Sequence, residues 1–439
     1  MTGSFITALP SAGRLMASLR DIGYDLSGAI ADIIDNAIDA DAATVAVEIA
    51  ADGADSWIRV SDDGVGMNRA RIDEAMRYGT RADYGADSLG HFGLGLKTAS
   101  LSQCRRLTVA SRTAEADPPV IRRWDLDQVL STDSWELERV RAVSAPSRLL
   151  EPLEGVGAGT VVLWEHLDRV LPRKQTEGMT ARVLRTAVDD AREHLGMVFH
   201  RFLDGEAYGR RWPFGRRRLE LSLNGEPVEP WDPFSRDEAR THALPPQLLE
   251  YTDAYGCAVT VPVKPYVLPG QQFFSTADAH RSAGGPKRWN RHQGFYIYRR
   301  ERLIQAGGWN RLRTLDEHAK LARIAVDLPP GQEEQFGVDV AKMRVSLPVD
   351  LRAGLRAIAS GAVAVAQERY RDHLDASTEV VAPRSVTSEA ISLSRDWPAI
   401  MAVVDDVLEQ EPGLRDRLLL RLANADADDD SLLRHGHGT

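Results

Sequence analysis

The chain has 439 residues, 43% of them apolar, enough for ordinary cores and, at this length, for two domains plus a tail. Its 54 basic and 64 acidic side chains give a net charge of −10, which argues against wholesale polyanion binding but leaves local basic patches open. No apolar run approaches the roughly 18 residues of a membrane span, the start (MTGSFITALPSAGRLMASLR) lacks the continuous apolar core of a signal peptide, and the cysteines, Cys104 and Cys257, make neither a disulfide framework nor a zinc cluster, so a soluble cytoplasmic protein is expected.

Residues 29–42 (AIADIIDNAIDADA) have helical periodicity, with Ile30, Ile33, Ile34, Ala37 and Ile38 apolar and Asp32, Asp35, Asn36 and Asp39 between them. Asp32 and Asn36 are one turn apart, so a carboxylate and a carboxamide project toward one volume. Asn36 offers a neutral oxygen to a hard cation such as Mg²⁺, and Asp32 can polarise an attacking water as general base. An amphipathic helix with a solvated acidic face fits the segment equally well.

The alternating run Trp57–Val60 predicts a strand that enters a tight turn, SDDGVGM at 61–67. Gly64 and Gly66 permit unusual backbone angles and close approach to a flat ring. Asp62, at the strand end, can accept a hydrogen bond from an exocyclic amine such as that of adenine. Asp-Asp-Gly is also an ordinary turn signal.

Next, GHFGLGLKTAS at 90–100 predicts a glycine-rich loop opening a helix, where free N–H groups and the helix dipole favour phosphate. The string is neither a P-loop nor a Rossmann fingerprint. The Gly-, Asp- and Ser-rich stretch before it, Tyr78 to Ser88, suggests a lid over a nucleotide.

Taken in order, these segments resemble the GHKL (Bergerat-fold) ATPases, the superfamily of gyrase, heat-shock chaperones, histidine kinases and MutL. The resemblance rests on Asp32 four before Asn36, then Asp62, Gly64 and Gly66, then Gly90, Gly93 and Gly95, then Gly159-Thr160. It implies that Asn36 holds Mg²⁺, that Asp62 reads the adenine amine and that Thr160 supports the adenine end. ATP would then be bound by Asn36, Asp62, Gly64, Gly66, Met67, Gly90, His91, Phe92, Gly93, Leu94, Gly95, Leu96, Lys97, Thr98 and Thr160. Most hydrolysing members carry Glu where this chain has Asp32, a carboxylate one methylene shorter, so slow turnover is expected. Asp35 and Asp39 are off the matching position, and Asp39 is expected to fix the helix end and the adenine side.

Downstream, a helix is expected from Ala181 to Leu203, then a hairpin in RRRLELSLNGEPVEPWDPF at 216–234, where Leu219, Leu221 and Leu223 lead into Asn-Gly. Strands are expected at Ala258–Val263, Gly294–Tyr298 and Arg323–Asp327, with a helix from Val349 to about His373. This half resembles the ribosomal-S5-like transducer domain of MutL, gyrase B and MORC proteins, and VDVAKMRV implies that Lys342 reaches the terminal phosphate. Phrases such as GFYIYRRERLIQAGGW resemble bacterial MORC and MutL-like ATPases of defence and restriction-modification neighbourhoods.

The fold class expected is therefore α+β, an N-terminal α/β sandwich ATPase domain (1–180), a transducer domain (181–350), a C-terminal helical region (351–423) and an acidic tail (424–439) that cannot fold alone. Two patches interleave arginine with aromatics: Arg210, Arg211, Arg216, Arg217 and Arg218 around Trp212 and Phe214, and Arg281, Lys287, Arg288, Arg291, Arg299, Arg300 and Arg302 around Trp289, Phe295, Tyr296 and Tyr298. Such a surface contacts phosphates and stacks on bases; arginines snorkelling over apolar surface account for it equally. No histidine spacing suggests a metal site. The function implied is an ATP-bound homodimer that opens on hydrolysis, acting on DNA or with a nuclease or methyltransferase. The rivals are an ATP-binding scaffold without turnover and a chaperone-like ATPase acting on protein clients.

Overall fold

The computed structural model describes residues 10–21, 23–79, 89, 95–171, 176–207, 218–286, 289–338 and 345–379. Gly90, His91, Phe92, Gly93, Leu94, Lys342, most of the expected lid, the first arginine patch apart from Arg218, and the acidic tail lie outside the described residues. Residues 1–376 group into one compact unit, which holds both sheets below.

Helices α1 (Ala12–Leu19) and α2 (Leu26–Asp39) lead into the first sheet, whose strands are β1 (Thr44–Ala50), β2 (Trp57–Asp62), β3 (Arg106–Arg112), β4 (Val120–Asp125), β5 (Glu138–Val140), β6 (Gly159–Glu165), β7 (Glu220–Leu223) and β8 (Glu226–Pro227). They run β5-β4-β3-β6-β2-β1-β7-β8, antiparallel except where β7 lies parallel to β1. Between strands come α3 (Arg69–Ala75), α4 (Gly95–Gln103), α5 (Leu126–Thr132), α6 (Ser147–Leu150), α7 (Glu177–Val198) and α8 (His200–Leu203). Strand β6 is buried along its whole length because both faces are covered. Val162 and Trp164 join the core under α2, α4 and α7, while Val161 and Leu163 pack against Leu149 and Leu153 on the other side.

Helix α2 starts where the Asp25 side chain accepts the Gly28 N–H at 2.7 Å. Ten of its 14 residues are buried, and each fully buried isoleucine such as Ile30 or Ile34 contributes about 1.5–3 kcal/mol. It is the central helix of the domain, packed against the sheet, α4 and α7.

The Asn224-Gly225 hairpin forms as expected, with φ of +52° and +81° in its two-residue turn. It does not join the second sheet. β7 pairs with β1, so the first sheet continues past residue 180.

A second sheet follows: β9 (His242–Ala243), β10 (Gln247–Thr252), β11 (Ala258–Val267), β12 (Gly294–Arg299), β13 (Arg302–Ala306) and β14 (Ala322–Leu328), in the order β10-β11-β14-β12-β13 with β9 on β11 and α9 (Ala277–Ala283) before β12. Helix α10 (Leu351–Glu379) covers one face with Leu351, Leu355, Ile358 and Ala362. The other face carries Tyr266, Tyr296 and Tyr298, closed by Phe234 and by Met197 of α7. The expected surface patch at 281–302 is thereby corrected in its main part. Phe295, Tyr296 and Tyr298 are fully buried, Arg299 and Arg302 are 3% exposed, and Trp289 is half-buried, because the residues that alternate along β12 enter two cores. No helix among the described residues is long and apolar enough to cross a membrane.

Candidate active site around helix α2

Asn36 is the single exposed residue of α2, and its amide nitrogen donates to the Asp32 carbonyl at 2.9 Å, so its side-chain oxygen is the atom that could face a cation. Asp32 itself is 2% exposed. The Tyr24 hydroxyl donates to Asp32 Oδ2 at 2.7 Å, and Arg302 Nη2 stands 3.8 Å from Oδ1. Burial, reinforced by the Asp32 charge, holds the Tyr24 phenol well above its ordinary range, so it remains a donor. Asp35, fully buried, lies 2.9 Å from Arg302 Nε.

The glycine-rich helix start meets the same carboxylate. Gly95 opens α4, and a Cβ there would stand 3.1 Å from Asp32 Oδ2. Thr98, 1% exposed, hydrogen-bonds Tyr24, and Leu96 packs partly buried on the core. The Lys97 side chain turns toward the protein. It is 1% exposed, donates to the Ala75 carbonyl at the end of α3 at 2.9 Å, and burial pushes its amine down to about 8. Asp39 accepts the Leu89 N–H at 2.8 Å and so ties the end of α2 to the residue just before Gly90.

The Asp-x-Gly-x-Gly turn folds onto this C-terminal end of α2. Asp62 Oδ1 accepts the Gly64 N–H at 3.0 Å, and Val65 donates to the Ala40 carbonyl at 2.9 Å. Gly64 and Gly66 are needed for protein backbone: a Cβ at Gly64 would lie 2.7 Å from Ala40 O, and one at Gly66, whose φ is +64°, would lie 1.9 Å from Arg112 O. Met67 donates its N–H to Ser111 Oγ at 2.7 Å, and Ser111 Oγ is 2.9 Å from Thr160 Oγ1. Thr160 stands opposite Asp62 in the β2–β6 register. Although Asp62 keeps some contact with solvent, the atoms packed around it push its carboxyl up to about 7, against the pull of the Gly64 and Thr160 backbone hydrogen bonds.

Three motifs thus converge on one helix, with the Asp32 carboxylate and the Asn36 carboxamide along it, the N-terminus of α4 beside Asp32, and the enclosed Asp62 carboxylate near its C-terminal end. The donor set fits Mg²⁺ and a triphosphate: a neutral side-chain oxygen for the cation, beside a helix N-terminus whose dipole favours an anion. Residues 24–160 match the family model for the histidine kinase-, DNA gyrase B- and HSP90-like ATPases. The N-terminal domain belongs to the GHKL superfamily. The chain is also 30% identical over 178 residues to the DNA mismatch repair protein MutL of Sphingopyxis alaskensis, a match covering 39% of this chain and 26% of that protein. The chain therefore spans about a quarter of the relative it matches. Among the described residues no cluster of three or more His, Cys, Asp and Glu could hold a metal ion.

Sequence reasoning missed Tyr24 and Arg302. Tyr24 lies one residue before the helix cap and carries no motif, and Arg302 comes from the second sheet. The usable signal was Asp35, a carboxylate on the apolar face of a helix, which requires a cation from elsewhere.

Proposed function

We propose that the chain is an ATP-driven conformational switch. In this reading Asp32 positions and polarises the attacking water, Asn36 holds the Mg²⁺, Asp62 accepts the adenine amine, and the N-terminus of α4 receives the phosphates. Bound Mg²⁺ would neutralise charge on the phosphate oxygens. The observation that supports the reading is the approach of Gly95, at the start of α4, to the Asp32 carboxylate, with Asn36 one turn further along α2. Hydrolysis is slow because the aspartate is short and restrained by Tyr24.

The transducer role for the second sheet, with Lys342 sensing the terminal phosphate, and closure of two protomers on ATP follow the resemblance to MutL and MORC proteins. The MutL relative is a mismatch repair protein, and that likeness supports assigning the switch to DNA or to a DNA-processing partner; the bacterial defence setting follows the resemblance to MORC and MutL-like ATPases alone. The buried arginines of β12 and β13 take no part in contacting DNA. Sedimentation with and without a non-hydrolysable ATP analogue tests the switch: a nucleotide-dependent dimer is expected, and an unchanged monomer at saturating analogue removes it. A scaffold without turnover is the second reading, favoured by the Tyr24 hydrogen bond that occupies Asp32 Oδ2; it predicts tight ATP binding and no phosphate release above background.

A further inference from the structure

The β12–β13 connection is a two-residue turn, Arg300-Glu301, and both residues are left-handed, with φ of +50° and +70°. Such turns normally take Asn-Gly. Non-glycine residues persist there only where the surroundings over-determine the backbone, a condition met at functional sites. The surroundings here are ionic. Glu301 pairs with Arg201 at 2.8 Å, and Arg299, on the strand before the turn, pairs with Glu333 at 2.8 Å and donates to the Leu89 carbonyl at 2.7 Å. Arg302, on the strand after it, reaches Asp35 at 2.9 Å and stands 3.8 Å from Asp32.

A fully buried guanidinium is costly unless its partners require it. Asp32 and Asp35 are those partners, two buried carboxylates on one face of α2. Tyr24 holds Oδ2 of Asp32 from one side, and Arg302 faces Oδ1 from the other. The plane of the carboxylate is therefore set jointly by the segment before α2 and by the second sheet. A base only slightly misaligned loses most of its effect.

We infer that Arg302 is a positioning residue for ATP hydrolysis: it fixes Asp32 in its working orientation and makes that orientation depend on the seating of the β12–β13 hairpin. The inference rests on the proposed role of Asp32 as base. It differs from a merely structural role, in which Arg302 would only balance the charge of Asp35.

Single-turnover ATP hydrolysis and ATP affinity, measured on the full chain for wild type, Arg302→Met, Arg302→Lys, Asp32→Asn and the double variant Arg302→Met with Asp35→Asn, separate these roles. Arg302→Met is expected to slow hydrolysis about 10- to 100-fold with ATP affinity held within about threefold, and Arg302→Lys to recover part of the rate. The double variant, whose buried charge is balanced, is expected to melt near wild type and to remain slow. A double variant hydrolysing at the wild-type rate would overturn the inference, as would an Arg302→Met whose affinity falls as far as its rate. If Asp32→Asn is slow while the Arg302 variants are not, only the inference falls; if Asp32→Asn hydrolyses normally, the assignment of the base falls and takes it along.

Discussion

Helix α2 and the β12–β13 hairpin both carry charged groups through an apolar interior, and they do so on different terms. On α2 the polar residues are few, spaced by a helical turn, and one of them, Asn36, is exposed. On the hairpin the arginines alternate with aromatics, look like a surface for a polyanion, and are buried against carboxylates of α2 and of the loop that follows β14. An arginine-aromatic run is thus read by asking whether the same chain holds buried acids in need of it. Here it holds Asp35 and Glu333, so for Arg299 and Arg302 neither a polyanion surface nor surface arginine snorkelling over apolar area describes what is found: both are buried in ion pairs.

The largest break in this comparison comes from the turn that packs onto α2. Gly66→Ala forces a side chain into a left-handed residue and onto Arg112 O, so a loss of at least about 2 kcal/mol in denaturant unfolding is expected, together with loss of ATP binding. Wild-type stability and affinity in that variant would remove the structural account of the motif.

Next in size is pH. Burial raises the Asp62 carboxyl from 3.8 to about 7, so the fold favours its neutral form. Its contribution to stability is full below the unfolded value and is lost as pH rises through about 7. Adenine recognition needs the opposite, ionised form, so ATP affinity should weaken by up to about tenfold from pH 7 to pH 6. Asp62→Asn should bind more weakly and flatten that dependence; a wild-type affinity flat over the same range contradicts the assignment.

A milder change sharpens the α2 side. Gly95→Ala sets a methyl 3.1 Å from Asp32 Oδ2 without backbone strain, so hydrolysis should fall about three- to tenfold while the melting temperature holds. Smallest is the exposed pair Arg281–Asp278 at the patch edge: Arg281→Ala should change stability by less than about 0.5 kcal/mol and leave hydrolysis unchanged, in contrast to Arg302.

What the sequence revealed follows from the range of the interactions. The α2 face, the β2 strand and the Asn224-Gly225 turn depend on neighbours within a few residues, and all are where the pattern put them. The partner strand of β7 was not legible, because parallel pairing to β1 is decided by packing between distant segments. Within the site, the four-residue spacing of Asp32 and Asn36 was legible, but their roles came from the resemblance to the GHKL ATPases, since spacing alone fits a solvated acidic face equally well. Tyr24 and Arg302 were not, since a hydrogen bond from an unpatterned tyrosine and an ion pair from another sheet leave no periodic trace. Nor was the side-chain placement of Lys97 legible: a lysine in a glycine-rich motif can equally cap a neighbouring helix, here α3.

The account turns on the Asp32 carboxylate, and phosphate release from Asp32→Asn beside wild type, at ATP concentrations that saturate both, tests it most directly. The amide keeps the size and can still accept from Tyr24 but cannot take a proton, so hydrolysis should drop by about 10²- to 10⁴-fold with ATP affinity nearly unchanged. Equal rates in the two proteins would contradict the account.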